Sequence, residues 1–141
     1  MKPIVRGLTN NSAETDPHAT DRRLVGRTYT IHFGEVWSAA VALADGGLLG
    51  WSMAAANDQT GTIHAESTTL LLRFVDDVYV HVGLDENAQT RVDVRSKSRK
   101  GKGDLGRNRR TIGKFLRRLD KRLNVRPGQI LDPTQPASWM S

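Results

Sequence analysis

Between residues 105 and 123, Leu105, Ile112, Phe115, Leu116, Leu119 and Leu123 fall on one side of a 3.6-residue period. Arg109, Arg110, Lys114, Arg117, Arg118 and Lys121 fall on the other. The pattern specifies a helix with one dry stripe and one cationic face, and Asp104 is its natural N-cap. Such a helix gains most of its stability from whatever covers the stripe, so the rest of the chain must supply an apolar surface.

That surface is legible upstream. Val78, Val80 and Val82 alternate with Asp77, Tyr79 and His81 within residues 74–82. Val92 and Val94 alternate with Arg91, Asp93 and Arg95 within residues 89–98, again the mark of a strand buried on one side. Residues 49–56 and 62–72 flank the turn formers Asn57, Asp58 and Gly61 and read as a hairpin, which makes four consecutive antiparallel strands. Earlier still, Val25, Tyr29 and Ile31 supply β-favouring bulk for a first strand over residues 24–31. Phe33, Val36, Trp37, Ala40, Val41 and Ala44 recur at helical spacing until Gly46 and Gly47 end the run, and Trp37 is expected in the core. Residues 1–23 are polar and aperiodic, an irregular arm, and Pro127, Gly128, Pro133 and Pro136 make residues 124–141 an extended tail. The expectation is therefore a single α+β domain over residues 24–123, in the order strand, helix, four antiparallel strands, helix, with both helices on one face of the sheet.

A chain of 141 residues can bury roughly two thirds of its unfolded surface, enough for one self-sufficient domain. It has no cysteine, so disulfides, a thiolate nucleophile and cysteine-ligated zinc are excluded. No run approaches twenty consecutive apolar residues, so no transmembrane segment is expected, and Lys2 precedes no apolar core of a signal peptide. A cytoplasmic protein, or one at the periphery of a membrane complex, fits these limits.

The charge is unevenly placed. Of the 21 Lys and Arg, fifteen lie in residues 91–126 against Asp93, Asp104 and Asp120 only, while residues 1–90 carry a net negative charge. An asymmetry of this size predicts a basic face that draws anionic partners in a salt-dependent manner.

With the elements placed, Gly50 and Trp51, residues 61–65, the run Phe74, Val75, Asp76, Asp77, Val78, and above all residues 94–112 resemble the bacterial family catalogued as domain of unknown function 1499. In the last stretch Arg95, Ser96, Ser98, Arg99, Gly101, Asp104, Gly106, Asn108, Arg110 and Ile112 match the family's signature. The resemblance covers about residues 29–119. It implies a shared fold and brings no activity, cofactor or catalytic residue with it.

Four groupings of residues bear on chemistry. Arg95, Lys97 and Arg99 share one face of a strand, and together with Gly101 and Gly103 before a helix start they form a candidate anion cradle. Asp104 at that helix start opposes the idea, and the loop lacks the Gly-Lys-Ser or Gly-Lys-Thr ending of a P-loop. Asp76 and Asp77, being adjacent on a strand, project to opposite faces and cannot act as a catalytic dyad; one of them is expected to pair with Arg95 or Arg99. His18, His32, His64 and His81 are dispersed and form no metal motif, and Ser96 and Ser98 have no identifiable base, so neither a metal, a cofactor nor a catalytic residue is expected.

The cationic helix face suggests a noncatalytic accessory module. It would dock through Arg109, Arg110, Lys114, Arg117, Arg118 and Lys121 onto an acidic protein or multi-subunit complex, with Trp139 in the proline-spaced tail as an aromatic anchor. Two other readings stand beside it. One is a small anionic-ligand module or enzyme using Arg95, Arg99 and the glycine loop; the other is a nonspecific binder of anionic membrane or nucleic acid. Phe115, the one aromatic residue of the basic segment, belongs to the dry stripe and leaves no ring for stacking on bases.

Overall fold

The computed structural model describes residues 11–99 and 105–136. Among these residues, seven antiparallel strands form one sheet: β1 (Ser12–Glu14), β2 (Arg27–Tyr29), β3 (Trp51–Asn57), β4 (Thr62–Thr68), β5 (Val75–Leu84), β6 (Thr90–Ser98) and β7 (Ile130–Leu131). The two helices are α1 (Phe33–Ala42) and α2 (Leu105–Arg122). The spatial order is β3-β4-β5-β6-β2-β7, and β1 pairs with β6. β1 and β2 lie in line along the same strand, Ser12 opposite Lys97 and Arg27 opposite Val92.

The alternation read from the sequence sets the two faces. Val80 pairs with Val94 and Val82 with Val92, so their side chains share one face with Ile63 and Ala65 of β4. That face forms a single core with Val36, Ala39, Ala40 and Leu43 of α1 and its exit, and with Ile112, Phe115, Leu116 and Leu119 of α2. Trp51 of β3 stacks on Phe115 at 5.4 Å between ring centroids. Both helices therefore cover the same side of the sheet, and the chain is one α+β domain.

Polar groups fix how α2 lies on that face. Tyr29, fully buried, donates its hydroxyl to Asp120 Oδ1 at 2.6 Å, and Arg27 Nη2 reaches Asp120 Oδ2 at 2.9 Å. Ser96 donates to Asn108 at 2.6 Å, and Asn108 in turn donates to the Asn11 carbonyl at 3.1 Å, tying β6, α2 and the start of β1 together.

Several sequence expectations differ from the structure. Residues 12–14, expected in an irregular arm, form β1, because the edge of β6 beyond β2 offers unpaired backbone groups that a short polar segment can satisfy. The single strand expected over residues 24–31 is divided: Asp21 caps a 3-10 turn at Arg22–Leu24, Gly26 takes φ +74°, and only Arg27–Tyr29 pairs. The tail also returns to the sheet. Ile130 and Leu131 pair with Tyr29 and Thr28, and Thr134 bonds to Asp85 at 2.7 Å. Trp37 sits at the margin of the core, stacked on Phe33 at 5.9 Å, because the buried stripe of α1 runs through Val36, Ala39 and Ala40 instead. The second hairpin strand stops at Thr68, short of residue 72.

Candidate functional site: a cationic groove beside an apolar ledge

α2 turns the side opposite its buried stripe outward, and this side borders the ends of β3 and β4. Between them runs a groove of about 470 Å³. Arg107, Arg110, Lys114 and Arg117 line one wall at successive turns of the helix, and Arg23 from the 3-10 turn adds a fifth cation. The opposite wall carries Ser67, Thr68 and Thr69 with Leu49 and Leu70. No aspartate or glutamate lines the groove among the described residues. Asp21 and Asp76 take the forks of Arg23 and Arg107, so Arg110, Lys114 and Arg117 with the hydroxyls opposite are the groups that favour an anion here.

The expected docking residues separate into two sets. Arg110, Lys114 and Arg117 line the groove, and Arg118 and Lys121 are exposed farther along α2. Arg109 does not join them: its Nη1 lies 3.7 Å from Asp21 Oδ2, and the side chain is largely covered. Asp21 also takes a bidentate pair from Arg23, which holds its carboxyl below the usual carboxylate range. Trp139, Gly101, Gly103 and Asp104 lie outside the described residues.

The fifteen cations of residues 91–126 are not all at the surface. Arg91 is buried beside Asp93, so the strand expected to be buried on one side only is covered on both at this point. The cover comes from the segment joining β1 to β2, since Arg91 Nη2 donates to the Val25 carbonyl at 2.7 Å and Thr15 donates to Asp93 at 2.6 Å.

Asp76 and Asp77 project to opposite faces. Asp77 accepts from Arg99 Nε and Nη2 at 3.2 and 2.7 Å, and His64 Nε2 lies 2.8 Å from the same carboxylate. The Arg99 hydrogen bonds, aided by His64, hold Asp77 below its ordinary pKa. Arg99 also bonds Glu66 at 3.0 Å, and the two carboxylates push its guanidinium pKa up. Asp76, almost wholly buried, is held from α2 by Arg107, which also lies 5.2 Å over the Phe74 ring. The partner of Asp76 is therefore neither Arg95 nor Arg99.

On the open face of the sheet a depression of about 720 Å³ is lined by Arg95 and Lys97 together with His64 and Tyr79, whose rings stack at 4.5 Å. Arg99 stands outside it, so the structure does not bring Arg95 and Arg99 to one cavity. Among the described residues no group of three or more His, Asp or Glu side chains is placed to hold a metal ion, and no helix is long and apolar enough to cross a membrane.

Arg23, Arg107 and the apolar wall of the groove escaped the sequence reading. The signal available was the run Leu70, Leu71, Leu72, which breaks the period of two and cannot place all its side chains on the buried face of a strand. Comparison with curated proteins and with solved structures finds no match. The sequence does match the family described as protein of unknown function (DUF1499), over residues 9–119, a span that runs from before β1 into the last turn of α2. On that match, the chain belongs to the DUF1499 family.

Proposed function

We propose that the protein is a noncatalytic docking module, an accessory subunit whose α2 face attaches to an acidic surface. The observation that carries this reading is the groove wall on which α2 sets Arg110, Lys114 and Arg117 in successive turns, beside Arg23 and Arg107, which Asp21 and Asp76 hold in place. Charge concentrated in a concavity focuses the field and speeds encounter with an acidic partner. The ligand reading built on Arg95 and Arg99 has less support, because Asp77 and Glu66 already occupy Arg99.

Retention on immobilised polyglutamate, as a stand-in for an acidic protein surface, tests the reading at low and high salt. Lys114→Glu/Arg117→Glu is expected to abolish retention, and Lys97→Glu/Arg126→Glu, with the same net charge, to preserve most of it. Equal losses would assign binding to overall charge and overturn the groove as the docking site.

A further inference from the structure

The groove does not end in polar surface. Leu49 and Leu70 form its rim at 75% and 64% exposure, and the β4–β5 turn beyond carries Leu71 and Leu72 at 93% and 71%. Phe74, beneath the Arg107 guanidinium, is 43% exposed. The other exposed large apolar side chains among the described residues, Leu84 and Ile130, lie at the far end of β5 and in β7. A contiguous ledge of this kind marks a surface that is covered in function.

The ledge is braced. Thr69 N donates to the Phe74 carbonyl at 2.9 Å, Phe74 N donates to Thr69 Oγ1 at 2.9 Å, and Arg73 adopts φ +57°. Within this closed turn Leu70 lines the groove opposite the cationic wall, and Leu71 and Leu72 follow it, largely exposed.

We infer that the surface this module docks on is an anionic lipid bilayer, with Leu70, Leu71 and Leu72 entering the acyl boundary while Arg110, Lys114 and Arg117 engage headgroup phosphates. The inference rests on the docking reading above and names its partner. A purely acidic protein surface would satisfy the cations and leave the exposed side chains of Leu70, Leu71 and Leu72 in water. A bilayer supplies both phases in the required order, a layer of phosphates over hydrocarbon reached within roughly 5–10 Å. Cations close to an anionic leaflet and a short apolar insertion are the two signals that together make peripheral attachment stable.

Co-sedimentation of the full chain with vesicles of phosphatidylcholine, alone and mixed with phosphatidylglycerol, tests this beside the polyglutamate column. Binding is expected only to the mixed vesicles, weakening as salt rises. Leu71→Ser/Leu72→Ser, which changes no charge and touches only exposed side chains, is expected to weaken vesicle binding by at least about tenfold and to leave polyglutamate retention intact. Leu71→Trp is expected to show a blue-shifted emission on mixed vesicles. Retention on polyglutamate without vesicle binding overturns the bilayer and leaves the docking reading standing. Binding to neither overturns both, and vesicle binding indifferent to the serine pair overturns insertion of the turn.

Discussion

Arg91 Nη2 and Asp93 Oδ1 lie 2.9 Å apart on the same strand, their side chains 2% and 3% exposed, under the segment that links β1 to β2. Residues two apart on a strand point the same way, so the pair sits on the face opposite the apolar core, and the protein buries a charged layer there. Arg91→Met leaves the Asp93 carboxylate buried without its counter-charge and is expected to cost about 3–5 kcal/mol in urea unfolding. Arg91→Met/Asp93→Leu is expected to recover most of that loss. Simple additivity of the single substitutions would show that the two charges do not depend on each other.

Tyr29 and Arg27 meet Asp120 from β2, the junction that seats the second half of α2. Tyr29→Phe removes one charge-assisted hydrogen bond while Arg27 still holds the carboxylate, so a loss of about 1–2 kcal/mol is expected. Asp120→Ala strands the buried hydroxyl and the guanidinium together and should lose more. Thermal unfolding of the two variants orders them, and an equal effect would contradict the shared role of Asp120.

Stability is expected to fall in two steps as the solution is acidified. Burial holds His81 below its ordinary 6.5, opposed by the Asp93 charge and a hydrogen bond with the Thr60 backbone. The unfolded chain therefore takes up this proton first, so the contribution is complete above about pH 6.5 and is lost as pH falls through the lower folded value. The second step lies below about 3.8, where Asp21, paired with Arg23, and Asp77, paired with Arg99, must be protonated. Denaturant midpoints measured across this range should show both steps, and His81→Gln should flatten the upper one. A His81 ring titrating at or above 6.5 by NMR would contradict the assignment.

Two glycines should respond in opposite directions to alanine. Gly61 adopts φ +71° where the β3–β4 turn closes, and an added Cβ would meet the Val82 carbonyl oxygen, so Gly61→Ala is expected to destabilise by about 1–3 kcal/mol. Gly34 lies in the first turn of α1 with open space around it, and Gly34→Ala is expected to gain about 0.5–1 kcal/mol from the smaller entropy loss on folding. Chemical denaturation of both, with the wild-type chain as reference, checks the pair of signs.

Attachment through the groove should respond to Arg117 more than to Arg109. Arg117 lines the opening, whereas Arg109 leans on Asp21. Arg117→Gln is expected to weaken polyglutamate retention several-fold, and Arg109→Gln to leave it within about a factor of two, since one exposed charge contributes about 1 kcal/mol near a charged surface. A reversed order would remove the groove wall from the interaction.

Local periodicity carried much of the architecture. Val78, Val80, Val82, Val92 and Val94 announce two strands and their inner face, and Ile112, Phe115, Leu116 and Leu119 announce the stripe of α2, because pleat and helical turn repeat over a few residues. The same pattern correctly separated Asp76 from Asp77. It could not name their partners. Arg107 reaches Asp76 because α2 crosses that end of the sheet, and only the packed chain defines the crossing.

Tertiary structure alone decided which charges are internal and what stands beside what. Arg91 and Arg117 are equally cationic in the sequence, yet one is sealed against Asp93 and the other borders an open groove. Burial of a charge depends on which distant segment passes over it. Leu70 and Lys114 are likewise separated along the chain by β5 and β6, and their meeting in one groove follows from hydrogen-bonded strands that return the backbone beneath α2. Side-chain chemistry and short-range spacing settled the elements; the proximity of ledge and cations arose from contacts between residues that the spacing of neither could relate.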